Sequence, residues 1–350
     1  MKKHAIAAFG AALAVGLAVP LQAGATSYTF TQLSSLDGTN SGANAINNGG
    51  QVAGYTGRGA VVWNGTSPTL LAGLLGGDQQ GSSATGINDA GQVVGINGWD
   101  KAATWVGTTQ TTLGTTSGPS SDAWGINNAG QVVGMSSPGQ AALWSGGTMT
   151  VLNPGGGKGY AINDAGVVTG CVCSPDQYDS QAVVWNAGVA TVLGGTWGPT
   201  NGSAGLGIND AGQVVGYGNF HATLLPVLWN GTTPTILPTL GDRPSKAKAI
   251  NDAGVIVGTS AGRAALWTND TVFDLNAFLG QADQAAGWYL QSANDINDLG
   301  VIVGTEANSL TGATRAFELS PVPEPGSLAL AFAGLGLLGL AALRKRGRIE

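Results

Sequence analysis

Apolar and polar positions alternate along the chain in short runs, each bounded by glycine, asparagine or aspartate. Ala141-Ala142-Leu143-Trp144 is one such run and Thr148-Met149-Thr150-Val151-Leu152 the next. Short runs of this kind, rich in β-branched and aromatic residues and separated by turn formers, predict strands rather than helices. They recur in a fixed order. The segment Ile-Asn-x-x-Gly-x-(Val/Ile)-x-Gly begins at Ile46, Ile87, Ile126, Ile162, Ile208, Ile250 and Ile296, at intervals of 41, 39, 36, 46, 42 and 46 residues. No copy lacks either glycine, from Gly50 and Gly54 in the first to Gly300 and Gly304 in the last.

Within a unit, small residues lead into the isoleucine, and Asn88-Asp89-Ala90-Gly91 then supplies an Asx-type turn whose glycine can take φ > 0. A hairpin with a bulge is expected there. Gln92-Val93-Val94-Gly95 is the returning strand, a third strand ends in tryptophan and a fourth in leucine. Four strands in roughly 40 residues is the size of a β-propeller blade. The third-strand aromatic is Trp63, Trp105, Trp144, Trp185, Trp229, Trp267 and, in the seventh unit, Phe317, after which no fourth strand follows. That strand stands at the other end of the chain: Tyr28 to Leu33 precedes Ile46 with the same 13-residue gap that separates Leu113 from Ile126 and Leu237 from Ile250. The expected fold is therefore all-β, a seven-bladed β-propeller over residues 26–320 closed by its N-terminal strand, which leaves no free edge. An open solenoid would need atypical capping repeats at both ends, and none is visible.

The two ends read as processing signals. Lys2 and Lys3, an apolar stretch from Ala5 to Val19 and an Ala23-Gly24-Ala25 site have the order of a secretory signal peptide, residues 1–25. An uncleaved N-terminal anchor is the alternative. At the C-terminus, Pro323-Glu324-Pro325 precedes an apolar segment, Ser327 to Leu343, and then Arg344, Lys345, Arg346 and Arg348. Seventeen apolar residues are short for a span, yet a basic stop beyond them lets residues 327–343 serve as a transmembrane helix with its tail in the cytoplasm. This tripartite order over 321–350 resembles the PEP-CTERM sorting signal of Gram-negative exported proteins. The resemblance implies an exosortase-type sorting enzyme acting after signal peptidase, a transient inner-membrane intermediate, and delivery to the cell surface or an extracellular matrix. A plain C-terminal anchor is the rival. The repeat itself, Ile-Asn-(Asn/Asp)-Ala-Gly-Gln-Val-Val-Gly followed by an Ala-x-x-Trp strand, resembles the extracellular HAF-type repeat, although only Arg315-Ala316-Phe317 approaches the name-giving His-Ala-Phe triplet. That resemblance implies export and repeat architecture, and no activity.

Composition narrows the chemistry. The 59 glycines in 350 residues belong to turns, and 43% hydrophobic residues suffice for a core. With two histidines in all, one of them His4, histidine-rich metal sites and His-dependent hydrolysis are close to excluded. There is no G-x-S-x-G, H-E-x-x-H, P-loop or S-x-D-x-G-x-x-W box, so no catalytic residue, cofactor or metal is assigned. Between residues 26 and 322 stand eight basic and 18 acidic residues, a net charge of −10. Nucleic acid and anionic lipid are poor partners for such a surface.

The in-register aromatics read as packing between blades. Trp99, Trp124, Trp197 and Trp288 break register and are the candidates for stacking on sugar rings, against packing over loop edges. Asp89, Asp164, Asp210, Asp252 and Asp298, with Asn48 and Asn128, share one turn position that a closed ring brings to one rim. Turn capping explains each singly, and no Ca²⁺ loop pattern accompanies them. Asp295, where other units have Ala or Gly, is expected near the axis, facing a water-filled channel or else a ligand. Cys171 and Cys173 read as two thiols or a local redox pair, because a bridge over one residue is strained. The function expected is a non-enzymatic exported surface or matrix protein that binds extracellular polysaccharide or protein. The alternative is a secreted glycan-acting enzyme using a carboxylate pair.

Overall fold

The structure is a computed structural model, which describes residues 27–322 apart from 39, 72–80, 116–117, 174–179, 196–201 and 221–222. The expected signal peptide with Ala23 and Ala25, the sorting residues Pro323, Glu324, Pro325, Arg344, Lys345 and Arg346, the apolar segment 327–343, and Trp197 all lie outside the described residues.

Tyr28–Val322 form one unit made of seven four-stranded antiparallel sheets. Blade 1 consists of Ser41–Ile46, Gln51–Thr56, Gly59–Asn64 and Ser67–Leu70, from the axis outward. The inner strands of blades 2 to 7 are Ser83–Ile87, Ser121–Ile126, Lys158–Ile162, Ser203–Ile208, Lys246–Ile250 and Trp288–Ile296. Each inner strand touches the next, and that of blade 7 touches that of blade 1, so the ring closes. The closing strand is Tyr28–Gln32, antiparallel to Thr314–Pro321 with Tyr28 opposite Pro321 and Gln32 opposite Phe317. An open solenoid is thereby excluded.

No single core exists. Seven hydrophobic clusters lie one at each interface between neighbouring blades. The third-strand aromatics are the large members: Trp63 packs against Val303 and Ala316 of blade 7, and Trp229 against Ala182 of blade 4. Their indole N–H groups donate to the connection entering the blade, Trp63 to Ser34 O at 2.7 Å and Trp144 to Gly114 O at 2.8 Å. Trp185 is buried without such an acceptor, where the outer strand of blade 3 bulges and runs on to Asn153.

The repeat glycines have separate tasks. The first of each pair closes the turn at φ between +75° and +79°, where a residue with a Cβ is strained. The second faces the inner strand so closely that a Cβ would strike a backbone carbonyl, that of Ala204 at Gly216 and of Asp122 at Gly134. The expected bulge is present but sits elsewhere than at the turn: every inner strand shifts register three to one residues before its isoleucine, as between Ala84 and Gly86. A bulge there bends the strand around the axis. Among the described residues the only helical turns are Leu275–Phe278 and Gln281–Ala285, between blades 6 and 7.

Candidate functional site

The end carrying the Asn-x-x-Gly turns is uniform. The first Asn of every repeat is buried and donates through Nδ2 to the carbonyl of its counterpart in the next blade, Asn47 to Asn88 at 2.9 Å and so on round to Asn297 and Asn47 at 3.0 Å. Its Oδ1 accepts from the backbone N–H four residues on, as from Gln51 to Asn47 at 2.8 Å. A second, exposed ring lies above: each backbone N–H at the next position donates to the Oδ1 of the Asp or Asn one blade on, as Asp210 to Asp252 at 2.9 Å and Asp298 to Asn48 at 3.0 Å. The two rings surround a cavity of about 210 Å³ at the axis. The rim brings the five aspartates together as expected, but their oxygens serve the ring, and among the described residues no group of three acidic, Cys or His side chains is arranged to hold a metal ion.

Asp295 departs from expectation. Its side chain crosses the seam between the last and first blades, accepting from Ile46 N at Oδ2 and from Ile296 N at Oδ1, both at 2.9 Å. Burial pushes its carboxyl up to about 7, against the pull of those two N–H groups and with a small further rise from Asp298. The carboxylate is a clasp on the ring and not a free group in a water-filled channel.

Deeper along the axis, the residue left unpaired by each bulge leans toward the neighbouring inner strand. On one side these are polar: Asn294 Nδ2 donates to Ala43 O at 2.7 Å, Asn44 Nδ2 to Ala84 O at 2.7 Å and Thr85 Oγ1 to Ala123 O at 2.7 Å. On the other they are Trp124, Tyr160 and Leu206, the first two in ring contact at 5.1 Å. Between the halves stands Lys248, whose Nζ donates to Ser292 Oγ at 2.7 Å and Asn294 Oδ1 at 2.8 Å. Burial, and secondarily Lys246, pull its ammonium down to about 8. Burial pushes the Tyr160 phenol up to about 12, with Tyr217 adding to it. Trp124 is thus a half-buried inner-strand residue packed against Tyr160.

The opposite end carries the variable connections and is not uniform. Trp99 sits there in blade 2, 63% exposed. A cleft of about 1020 Å³ opens between blades 6 and 7, walled by Asp242 and Arg243 on one side and by Asn276, Trp288 and Tyr289 on the other. Arg263 and Asp274, on adjacent strands of blade 6, form an ion pair at 2.8 Å in its lining. Asn276 is committed, accepting from Leu290 N and donating to Leu290 O. Among the described residues the side chains of Asp242 and Arg243 make no hydrogen bond or ion pair. The Arg315 guanidinium covers one face of Trp288 at 3.4 Å. Its Nε lies 2.9 Å from Glu306 Oε1, an ion-pair distance without hydrogen-bond alignment, and burial pushes the Glu306 carboxyl up to about 7 against the pull of Arg315. The stacking candidates are therefore dispersed: Trp99 and Trp288 on the variable end in different blades, Trp124 on the inner strand of blade 3.

Cys171, in the returning strand of blade 4, is bonded to Cys173 just beyond it, so the pair is a disulfide rather than two thiols. Oxidising conditions outside the cytoplasm permit such a bond.

Residues 321–346 match the PEP-CTERM protein-sorting motif. A chain with a PEP-CTERM motif is exported through the cell envelope and processed by exosortase-type machinery. Among curated proteins no match to the sequence was found. Two solved structures with the same architecture are crystal structures of the extracellular domain of one B. thetaiotaomicron protein, described as a one-component system in one and as a hybrid two-component system in the other. They superpose with TM-scores of 0.55 and 0.56 at 10% and 11% identity, each over 85% of this chain. The chain spans 40% of the length of those structures. At that identity the likeness is one of fold.

Within this PEP-CTERM-bearing chain, sequence reading passed over Arg243, Tyr289, Lys246 and Lys248. A signal for the last existed: Lys248 stands two residues before Ile250 in the strand of small residues that leads into every repeat. Among the described residues no helix is long and apolar enough to cross a membrane.

Proposed function

We propose that the exported propeller is a non-enzymatic binding protein of the cell surface or extracellular matrix of a Gram-negative bacterium, and that its cleft between blades 6 and 7 holds extracellular polysaccharide. The observation that carries this reading is the cleft itself. It is open, it presents Trp288 and Tyr289 together with the uncommitted side chains of Arg243 and Asp242, and it lies on the variable end. Sugar sites combine an aromatic wall with a few placed polar groups in this way. The one other carboxylate in the cleft, Asp274, is committed to Arg263 and to capping the turn at Asn276, which speaks against a pair of working acids.

Calorimetric titration of residues 26–322 with the producing cell's own extracellular polysaccharide tests this, with reducing ends followed in parallel. Saturable binding without new reducing ends is expected, weakened about tenfold or more by Trp288→Ala or Arg243→Ala. New reducing ends would mean the glycan-acting enzyme instead. Signal peptidase and an exosortase-type enzyme are the processing partners in this reading. A chain carrying Pro323→Ala, Glu324→Ala and Pro325→Ala should remain in the inner membrane, and its normal release would remove the surface destination.

A further inference from the structure

The Trp288 indole in the cleft wall is backed by a charged group as well as by apolar packing. The Arg315 guanidinium lies 3.4 Å from the centre of its ring, so that face is closed to a sugar. Three contacts keep the guanidinium there. Nη1 donates to Gln32 Oε1 at 2.9 Å, Nη2 stands 3.9 Å from Asp283 Oδ1, and Nε stands 2.9 Å from Glu306 Oε1. Arg315 thereby links the closing strand Tyr28–Gln32, the helix Gln281–Ala285 and the strand Ile302–Asn308 to one side of the tryptophan.

Glu306 is the odd member of this set. It is fully buried, and neither carboxyl oxygen accepts a hydrogen bond. Strand register places it between Leu290 and Arg315, so the three side chains share the face of blade 7 that packs on blade 6. The charged groups on the surrounding elements are few. Arg315 comes from the outer neighbouring strand and Asp283 from the helix Gln281–Ala285. In blade 6, Arg263 and Asp274 are paired with each other, and Lys248 on the inner strand is held by Ser292 and Asn294. Burial pushes the Glu306 carboxyl up to about 7, against the pull of Arg315 and with a further rise from Asp283. A buried acid without a hydrogen-bonded partner holds a fold no better than an apolar side chain of its size would. What it adds is a charge that comes and goes near neutral pH.

When Glu306 is ionised, its attraction for the guanidinium holds Arg315, and with it the indole, in one arrangement. When Glu306 is neutral that attraction is gone, and Asp283 and Gln32 are the acceptors that remain. An aromatic wall already held in place takes a ligand more tightly than one that must be ordered on binding. We infer that Arg315 is a positioning residue for the cleft, fixing Trp288 as a stacking surface with one face closed, and that the charge of Glu306 sets how firmly it does so. The control of Trp288 needs no ligand; its effect on affinity rests on the reading of the cleft as a sugar site.

The first test is made without a ligand. Residues 26–322, which contain every sheet of the ring, are labelled with 5-fluorotryptophan and followed by fluorine NMR from pH 5 to 9, the Trp288 signal being identified by its loss in Trp288→Phe. That signal should move in one titration step with a midpoint near 7. Glu306→Gln and Arg315→Met should each abolish the step, Arg315→Lys should retain it because the charge remains, and Asp295→Asn, at the other end of the same strand, should leave it unchanged. A Trp288 signal indifferent to pH, or a step that persists in a folded Glu306→Gln or Arg315→Met chain, would overturn the inference.

The second test is calorimetric titration with the producing cell's extracellular polysaccharide. The unaltered chain should bind about threefold or more tightly at pH 8 than at pH 5.5. Arg315→Met should weaken binding at pH 8 by about fivefold, and Glu306→Gln should bind at the weaker level at both pH values. A Glu306→Gln chain that matches the unaltered one at both pH values would overturn the effect on affinity. Absence of any glycan binding would strike the reading of the cleft instead, and the fluorine signal would still decide whether Glu306 and Arg315 control Trp288.

Discussion

The two ends of the propeller are built from the same seven units and use their polar groups differently. At the uniform end each asparagine and aspartate completes a bond to the next blade, and the pattern returns on itself after Asn297 and Asp298. At the variable end and along the inner strands, blades differ, and side chains such as Arg243 and Lys246 have no partner of opposite charge among the described residues. Repetition thus holds the ring, because a closed circle of equivalent bonds needs equivalent residues. Departures from repetition leave polar and aromatic groups uncommitted, which is where recognition can reside.

The largest test of this division is a glycine of the repeat. Gly216→Ala would drive a Cβ into the Ala204 carbonyl within a paired strand, and we expect loss of about 4 kcal/mol or failure to fold, read by denaturant unfolding. A well-folded Gly216→Ala chain would show that the inner strand can yield and would weaken the case for an obligatory bulge.

Next comes the contrast between the two rings. Asn209→Ala removes an acceptor from the buried N–H of Gln213 and a donor from the carbonyl of Asn251, at a cost of about 3 kcal/mol. Asp210→Ala, in the exposed ring one residue along, should cost under about 1 kcal/mol. Equal losses would mean that the outer ring is as structural as the inner one.

Smaller effects follow from the two raised carboxyls. Asp295 rises from 3.8 to about 7, so the fold retains a proton that the unfolded chain has already released. Stability from this group is therefore present below about pH 4 and lost as pH climbs toward 7, with Glu306 acting in the same direction. Melting temperatures should fall by a few degrees between pH 5 and 8 beyond what other groups contribute, corresponding to about 1–3 kcal/mol. Asp295→Asn should flatten part of that slope; an unchanged profile would mean the seam carboxylate stays ionised throughout. Least of all, Trp99→Ala, at 63% exposure on the variable end, should alter stability by under about 0.5 kcal/mol. A larger loss would show that this end too is structural.

Much of the architecture was legible in the chain because it is written seven times. The isoleucine-to-glycine segment, the third-strand aromatics and the displaced strand at Tyr28 specify blade number and closure, since each copy must present the same faces to identical neighbours. The sequence did not reveal where the bulge falls. Turn chemistry pointed to Asn88–Gly91, yet the register shift lies before Ile87, because seven inner strands crowded at one axis must bend there. Nor did it reveal the disulfide, since spacing alone does not show whether the sulfurs of Cys171 and Cys173 meet where the strand ends, as they do.

The candidate sites were the least legible. Trp288 is a wall of the cleft only because the helical insert 275–287 and the connection at Asp242 come together in space, and Trp124 faces Tyr160 only because 36 residues of repeat return the chain to the same height in the next blade. Sequence by itself determined the repeat, the strand pattern, the closing strand and the sorting motif, all of which depend on residues near one another in the chain or on strict recurrence. Tertiary structure alone decided which unrepeated side chains meet, that Asp295 clasps the seam, and that Lys246 lies over Tyr217 while Trp124 lies against Tyr160. Those meetings join residues from different blades, and nothing in local propensity or spacing encodes a contact that exists only once the circle is closed.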